Sequence, residues 1–346
     1  MKKLLPLAFL LFALCSYAFA NDSIRYERTL GDTAYAHCDF KSAVEHYTKA
    51  IALNPTDTES YYYRAGAKAM LEDYKGSIED YDVVIKMRPA FPGGYFGRAH
   101  AKVMLKMLDE AYADYEAAIK VDDKSWRTFY NYSRALSMGK KYDEPMVQIN
   151  KAIKLSPREY KCYYLRGHVF YDMDKMKEAM NDYNKTVDLN PQYTDGYAAR
   201  SDIYMRSNDF KSAIIENQKI LQIDPKNMKA SNNVGFSDIE LGKFDDAIAV
   251  FRKLITNYPN DPFAHNNLGF AYFKAGLKTE AKEQINKSLS IDSTNSYAYR
   301  NLALIAISEN NMTAACENIH KSLDLGFTKT WFSNEVEELK KKYCQH

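Results

Sequence analysis

Histidine and cysteine are the side chains of this sequence with the strongest capacity for metal binding and covalent chemistry. No two of the 7 histidines have the spacing of metal ligands. They are His37, His46, His100, His168, His265, His320 and His346. The chain has no paired-cysteine zinc pattern, no glycine-rich phosphate loop and no His-Glu-x-x-His segment. We therefore expect no enzyme activity, no metal site and no cofactor.

The first twenty residues have the pattern of a secretory signal. Lys2 and Lys3 precede an apolar stretch at residues 4–14, and Ala18-Phe19-Ala20 supplies small residues for cleavage. The sequence thus predicts a signal peptide at 1–20 and export across the inner membrane to the periplasm or cell surface. Cys15 does not predict a lipid anchor, because it follows a leucine where a lipoprotein signal needs a small residue.

The charge balance argues against several kinds of partner. The chain has 47 Lys and Arg against 45 Asp and Glu, and the counts are equal once Lys2 and Lys3 are removed. A neutral chain with mixed charges lacks the basic patch that nucleic acid or an acidic membrane requires. Beyond the signal, no run approaches the roughly 18 apolar residues of a transmembrane helix. We expect no nucleic-acid binding and no integral membrane segment.

Proline recurs on a grid of 34 residues. The grid points are Pro55, Pro89, Asp123, Pro157, Pro191, Pro225, Pro259 and Ser293. Twelve residues before them stand Ala43, Ser77, Ala111, Pro145, Ala179, Ala213, Ala247 and Ala281, and Ala315 continues this series of mostly small residues. Four residues later come larger ones: Tyr47, Tyr81, Tyr115, Ile149, Tyr183, Asn217, Phe251, Ile285 and Ile319. This period predicts stacked helical hairpins, with proline ending each second helix.

The repeated segment resembles the tetratricopeptide repeat, and the segment at 262–295 matches it closely through Asn267-Leu268-Gly269, Tyr272, Gly276 and Ala281. The resemblance covers nine repeats, which begin near 24, 58, 92, 126, 160, 194, 228, 262 and 296. It implies an all-α, right-handed superhelical solenoid over 21–327. Pro145 marks either a bend or a proline tolerated in the first turn of a helix.

The end of the chain is predicted to close the solenoid. Gly326 can end the last repeat in a left-handed cap, and a capping helix within 328–346 would cover its apolar face. Cys316 lies in the last repeat and Cys344 at the end of the capping helix, so a disulfide between them would hold the cap in place. We expect Cys38 and Cys162 to be free, buried thiols.

Four repeats carry an arginine in the first helix and an acidic residue sixteen positions later. They are Arg64 and Asp80, Arg98 and Asp114, Arg166 and Asp182, and Arg200 and Glu216. The five repeats without this arginine have no acid at the later position. The pattern predicts partly buried ion pairs between the helices of a hairpin. The alternative is an arginine row that grips an anionic ligand.

In proteins that this chain resembles, fixed positions of each first helix line a concave groove. Here the first half of these positions holds Arg25, Arg28, Tyr62, Tyr63, Phe96, His100, Tyr130, Arg134, Tyr164 and His168. The second half holds Asp202, Asn232, Asn233, Phe236, Asn266, Asn267, Phe270, Phe273, Arg300 and Asn301. The first half is aromatic and mildly basic, which suits stacking on side chains or sugars. The second presents amides that can bond a peptide backbone.

Both halves also have a structural interpretation, since tyrosines can bridge neighbouring repeats and asparagines can support helix stacking. The resemblance implies a non-catalytic scaffold that binds an extended peptide or protein partner. The alternative is a carbohydrate-binding accessory module of the cell envelope. The Tyr-x-x-Arg repeats and the Cys316 to Cys344 segment resemble exported proteins of Bacteroidetes-type bacteria. The partner and the oligomeric state stay open.

Overall fold

The computed structural model describes residues 22–139, 143–327 and 334–344, and these ranges fold into nineteen α-helices without a strand. The predicted signal peptide at 1–20 lies outside the described residues. Helix α1 spans 22–36. The others are α2 (Phe40–Leu53), α3 (Thr58–Met70), α4 (Tyr74–Met87), α5 (Pro92–Met104), α6 (Leu108–Val121), α7 (Trp126–Met138), α8 (Asp143–Leu155), α9 (Tyr160–Asp172), α10 (Met176–Leu189), α11 (Thr194–Arg206), α12 (Phe210–Ile223), α13 (Met228–Glu240), α14 (Phe244–Asn257), α15 (Pro262–Lys274), α16 (Lys278–Ile291), α17 (Ser296–Ser308), α18 (Met312–Asp324) and α19 (Glu335–Tyr343).

Consecutive helices pack as antiparallel pairs, so the predicted all-α fold of about nine hairpins with a capping helix is confirmed. The chain has two compact units, and the boundary between them, at Ala179 and Met180, falls within α10. We call residues up to 179 the N-terminal unit and the rest the C-terminal unit.

The second helices end two residues before the proline grid. The residue after α2, Asn54, has φ −142° and ψ 95°, and this extended geometry is what a following proline favours. Asp122 after α6 has nearly the same angles, φ −142° and ψ 107°, although Asp123 replaces the proline there. The turn between hairpins is therefore fixed by the repeat itself, and proline reinforces it.

In eight of the hairpins, the described turn between the two helices uses a residue in the left-handed region, also at a spacing of 34 or its multiple. Six of these residues are not glycine: Cys38, Glu72, Lys106, Asp174, Asn208 and Asn310. Gly242 and Gly276 occupy the same position in later repeats. In the first hairpin the turn is closed by the amide of Asp39, which donates to the carbonyl of Ala34 at 2.9 Å. Asp174, Asn208 and Asn310 are of the residue types that favour this conformation, whereas Cys38, Glu72 and Lys106 give no such signal in the sequence.

The core of each hairpin is the predicted small residue and the larger residue one turn later. Ala43 is fully buried and Tyr47 is 1% exposed, and the same holds for Ala247 and Phe251. A small side chain lets the helix axes approach, and the larger one fills the space beside it. Pro145 is the third residue of α8 and is buried, which fits a proline tolerated in the first turn of a helix.

Three of the four predicted ion pairs lie in contact. Two nitrogens of Arg98, Nε and Nη2, donate to both carboxylate oxygens of Asp114, at 2.9 and 2.5 Å. Arg64 holds Asp80 in the same way at 2.8 and 2.6 Å. Arg200 donates to Glu216. The fourth predicted pair, of Arg166 with Asp182, would join the two units and stays a prediction.

The same arginines also reach the hairpin before their own. Nη1 of Arg98 donates to Asp82 of α4 at 2.6 Å, and Nη1 of Arg64 donates to Thr48 of α2 at 3.1 Å. Arg166 bonds Asn150 of α8 at 2.8 Å. The guanidinium groups of Arg64, Arg98 and Arg166 therefore link helices of consecutive hairpins. This structural role accounts for these arginines without an anionic ligand.

The first residue of each Tyr-x-x-Arg segment supports the arginine three positions later. The guanidinium carbon of Arg64 lies 5.3 Å from the ring centroid of Tyr61, and Arg98 lies 6.0 Å from Tyr95. These are cation–π distances. The segment is thus a structural device of the hairpin.

The last hairpin is covered by α19. Val336 is 2% exposed and packs with Ala303 and Ile319. Cys316 and Cys344 form a disulfide with a Cα–Cα distance of 5.5 Å. Gly326 ends α18 with φ 74°. Among the other described cysteines, Cys162 is buried and free, whereas Cys38 is exposed. The expectation of a buried Cys38 is wrong, because its turn projects out of the hairpin.

Replacing Glu72 by glycine should stabilise the protein. Glu72 has φ 63°, a conformation that costs an L-residue about 1 to 2 kcal/mol. Glycine avoids this cost, but it also loses more conformational entropy on folding, which offsets part of the gain. Glu72→Gly should therefore raise the free energy of unfolding by about 0.5 to 1 kcal/mol in urea titrations. The matched variant Glu79→Gly, at an exposed position inside α4, should lower it by about 1 kcal/mol. Destabilisation by both variants would contradict this account.

Removing Arg98 should destabilise the protein, because Asp114 is 4% exposed and would retain only Lys102, at 2.9 Å. We expect Arg98→Met to lower the free energy of unfolding by about 2 to 4 kcal/mol. The control Arg158→Met, at an exposed position, should change it by less than about 0.5 kcal/mol. Equal urea midpoints for both variants would show that the arginine links do not hold the hairpins.

Breaking the disulfide should loosen α19 and leave the hairpins before it intact. The bond closes a loop of 28 residues, for which the chain-entropy cost is about 3 to 4 kcal/mol. In hydrogen–deuterium exchange, the double variant Cys316→Ser with Cys344→Ser should lose protection within residues 335–343. Protection of α2 to α4 should stay unchanged. Unaltered exchange of α19 would mean that Val336 and its neighbours hold the cap alone.

Candidate functional site

The candidate site is the set of first-helix side chains predicted to line a groove. The candidates up to His168 belong to the N-terminal unit, and those from Asp202 onward belong to the C-terminal unit. The two predicted halves of the groove thus coincide with the two units. Their chemistry differs, and so does the availability of their side chains.

The N-terminal unit has an aromatic pocket between its first two hairpins. Its volume is about 400 Å³, and Asp32, Tyr35, Tyr47, Tyr62, Tyr63 and Tyr81 are its principal lining residues. These side chains come from α1, α2, α3 and α4. Two of them were predicted as groove residues, Tyr62 and Tyr63. We refer to this site as the tyrosine pocket.

The rings of the tyrosine pocket support one another. Tyr62 makes edge contacts with Tyr63 and Tyr81, at centroid distances of 5.3 and 5.8 Å, and Tyr63 stacks on Tyr47 at 5.9 Å. Tyr47 is 1% exposed, whereas Tyr63 is 42% exposed and Tyr35 37%. The pocket therefore has a rigid floor of buried rings and a mouth formed by accessible ones.

The absence of a side chain at two glycines leaves space for the tyrosine rings. A Cβ at Gly31 would lie 2.7 Å from the ring of Tyr47, so this ring can cross α1 only at glycine. Gly66 lines the pocket itself. Gly31, which follows Leu30 as Gly269 follows Leu268 in the eighth repeat, thus creates the space behind the site.

The pocket has phenols with raised pKa values and one exposed carboxylate, that of Asp32. Burial raises the pKa of Tyr47, and the hydrogen bond to Asp32 raises it further. Burial also raises the pKa of Tyr62 and Tyr81. The phenols of Tyr47, Tyr62 and Tyr81 therefore stay protonated over a wide pH range. The hydroxyl of Tyr47 donates to Oδ1 of Asp32 at 2.7 Å, and this carboxylate is exposed.

The basic character predicted for this half is not found at the pocket. Arg28 pairs with Asp57 at 3.3 Å and with Glu59 at 2.5 Å. Arg25 is exposed and does not line the pocket. Asp32 is the acidic side chain among the lining residues, and neither Lys nor Arg is one of them.

Farther along the N-terminal unit, the predicted groove residues are half-buried. Phe96 packs edge-on against Tyr115 at 6.2 Å, and Tyr130 against Trp126 at 6.1 Å. Burial lowers the pKa of His100, and the nearby charge of Arg134 lowers it further, so this imidazole is neutral at neutral pH. Tyr164 and His168 are in edge contact at 4.5 Å. These residues continue the aromatic surface.

The asparagines of the C-terminal unit are largely engaged with one another. Nδ2 of Asn267 donates to Asn232 at 2.9 Å, and Nδ2 of Asn301 donates to Asn266 at 2.8 Å. Nδ2 of Asn233 lies 3.4 Å from its acceptor, Oδ1 of Asn217. The first two bonds join residues 35 positions apart, and thus link consecutive first helices. The amides serve the stacking of hairpins.

Asn266 and Asn301 are each 3% exposed, so a bound chain does not reach them. Arg300 is also engaged: it pairs with Glu335 of α19 at 2.6 Å and lies 4.8 Å from the ring centroid of Phe270. Phe270 in turn contacts Phe273 at 6.5 Å. This part of the predicted groove is bound to the cap.

The remaining candidates of the C-terminal unit are an aromatic and a charged side chain. Phe236 contacts Phe210 at 6.1 Å. Asp202, which is half-buried, lies 3.7 Å from Nζ of the exposed Lys229. A surface ion pair at this distance contributes little to stability.

Sequence reasoning did not include Asp32, Tyr35, Tyr47 and Tyr81 in the site. Tyr47 and Tyr81 were assigned to the hairpin core, and they fill that role while their rings also line the pocket. Asp32 and Tyr35 lie three residues apart on α1 and therefore share one face of that helix, but the repeat pattern does not indicate that this face lines a pocket.

Over the described ranges, no three or more His, Cys, Asp and Glu side chains cluster as metal ligands would. In the same part of the chain, every helix is too short or too polar to cross a membrane.

Comparison with known families supports the repeat assignment. Models described as tetratricopeptide repeat match residues 28–94, 160–193 and 264–295, and one described as TPR repeat matches 235–276. No curated protein matches the sequence.

One solved structure shares the fold, and two further structures align over a shorter part of the chain. A tetratricopeptide repeat protein from Parabacteroides merdae aligns over 73% of this chain and 99% of its own, with 18% identity and a TM-score of 0.57. YrrB, described as a TPR protein with an unusual peptide-binding site, aligns over 53% and 95%, with 20% identity and a TM-score of 0.46. MamA from Desulfovibrio magneticus RS-1 aligns over 50% and 97%, with 20% identity and a TM-score of 0.46.

The family matches lie within the 34-residue hairpins that the structure shows, and the Parabacteroides protein has the same arrangement of helices. The chain therefore contains tetratricopeptide repeats, which the family models match at residues 28–94, 160–193 and 235–295.

Proposed function

We propose that this protein is a non-catalytic scaffold that binds an extended peptide or protein segment along the first helices of its N-terminal unit. Tetratricopeptide repeats typically mediate protein–protein interactions, and proteins built from them are typically non-catalytic. The observation that carries the proposal is the tyrosine pocket, which is preformed and has an accessible mouth at Tyr63 and Tyr35.

The pocket has the composition of a protein-binding surface. Tyrosine offers a large apolar contact area together with a hydroxyl, and it loses little conformational entropy on binding. Because the rings already hold one another, a ligand meets a rigid surface and bears little further ordering cost. The half-buried Phe96 and Tyr130 extend this surface along the unit.

The C-terminal unit is the weaker candidate for the same role. Its asparagines bond one another between hairpins, and Asn266 and Asn301 are buried. We therefore assign the amide half to the stacking of repeats.

We further propose that the protein acts outside the inner membrane, in the periplasm or at the cell surface. The support is the signal pattern of residues 1–20 and the disulfide between Cys316 and Cys344, since disulfides persist in oxidising compartments. The Tyr-x-x-Arg repeats that suggested an exported protein of Bacteroidetes-type bacteria are in keeping with this location.

Selection of a random-peptide display library against the mature chain tests the binding role. We expect peptides that bind with micromolar affinity and that lose about tenfold in affinity to the double variant Tyr63→Ala with Phe96→Ala. The control is the double variant Val147→Ala with Ile215→Ala, because both are exposed apolar residues on second helices, 54% and 56% exposed. It should bind as the unaltered chain does.

Three outcomes would contradict the proposal. The first is the absence of selected peptides, and the second is an equal loss of affinity in both double variants. The third is saturable binding of envelope glycans without any peptide binding, which would favour the carbohydrate-binding module instead.

A further inference from the structure

The tyrosine pocket has a feature that general peptide binding does not require. It combines five phenol rings with one carboxylate, and no Lys or Arg is among its lining residues. The faces of phenol rings carry negative electrostatic potential and attract cations. Asp32 adds a formal negative charge at the mouth. The rings and the carboxylate therefore both favour a positively charged ligand.

Three cations on α1 and α3, two of the helices that line the pocket, are occupied elsewhere. Arg28 pairs with Asp57 and Glu59, and Arg64 is held by Asp80. Lys68 also contacts Asp80, at 2.8 Å. None of these side chains neutralises Asp32. The described partner of the Asp32 carboxylate is the hydroxyl of Tyr47, which donates one neutral hydrogen bond to Oδ1.

This hydrogen bond orients the carboxylate of Asp32 and does not neutralise its charge. Tyr47 is 1% exposed and its hydroxyl is oriented toward Asp32 at 2.7 Å. The other carboxylate oxygen can accept from a guanidinium or an ammonium group, which are strong donors to carboxylates. The rings of Tyr35 and Tyr63, both partly exposed, stand beside the mouth and can flank the aliphatic stem of such a side chain.

We propose that the tyrosine pocket binds one cationic side chain, arginine or lysine, of the bound polypeptide, with Asp32 as its counter-ion. This inference rests on the proposed function, because it names the residue by which the partner is anchored. The volume of about 400 Å³ accommodates one long side chain with part of its backbone. The pocket thus selects partners that carry an accessible basic residue.

Titration of the full mature chain with N-acetyl-arginine amide tests the pocket independently of any partner. The readout is the NMR spectrum of ring-labelled tyrosines, with the Tyr63 signal assigned by the Tyr63→Phe variant. N-acetyl-citrulline amide is the matched control ligand, because it has the same length and lacks the charge. We expect saturable shifts of Tyr63 with arginine amide and about tenfold weaker binding of citrulline amide.

Two variants locate the effect. Asp32→Asn keeps an oxygen acceptor for Tyr47 and removes the charge, and it should weaken binding of arginine amide about tenfold. Asp123→Asn, an exposed aspartate in the turn before α7, should leave binding unchanged. Equal binding of arginine and citrulline amides, or equal binding by Asp32→Asn and the unaltered chain, would overturn the inference. Shifts of Tyr63 with N-acetylglucosamine and none with arginine amide would overturn it in favour of a sugar site.

Different results would refute the cation site and the peptide-binding role. If library peptides bind equally to the unaltered chain and to Asp32→Asn, and arginine is not enriched among them, the groove still binds peptides and the cation site is refuted. If no peptide binds, the proposed function itself fails, whatever the titration shows.

Discussion

The close approach of two helices at one small buried residue is the constraint on which this structure depends. In every hairpin except the fourth, where Pro145 stands, this residue is an alanine or a serine such as Ala43 or Ser77, and a side chain such as Tyr47 fills the space one turn later. A helix pair packed in this way still has an apolar face to cover, so it requires a neighbour. Every later feature follows from that need: the turn between hairpins, the arginine links and the cap over the last repeat.

Neighbouring hairpins are joined by polar bonds that change along the chain. In the N-terminal unit, Arg64 and Arg98 each hold a carboxylate in their own hairpin and an acceptor in the preceding one. In the C-terminal unit the corresponding role falls to asparagine amides, as between Asn232 and Asn267. The arginines bond acceptors on the second helices, and this leaves the tyrosines of α1 and α3 accessible. Where asparagine links the first helices directly, the surface that could bind a partner is used for stacking.

The sequence was sufficient for the fold and insufficient for the site, and the helix geometry explains why. A period of 34 residues with a small residue at a fixed offset locates each helix and its core. It does not determine which neighbouring position faces a ligand, because adjacent residues on a helix point about 100° apart. Thus Asn266 is buried while Asn267 is only partly so. The left-handed turn at Glu72 was equally hidden, since glycine is the usual signal for that conformation. Asp32 became part of the site only through its hydrogen bond to Tyr47.

The central claim is that a polypeptide occupies the tyrosine pocket of the N-terminal unit. Site-specific photo-crosslinking in intact cells tests it most directly, with a photoreactive residue at position 63 in one variant and at position 147 in another. Both positions are exposed, at 42% and 54%, and only the first lies at the pocket. The account predicts that mass spectrometry finds a polypeptide segment with a basic residue joined at position 63 and absent at position 147. Capture of the same products from both positions, or of none from position 63, would contradict it.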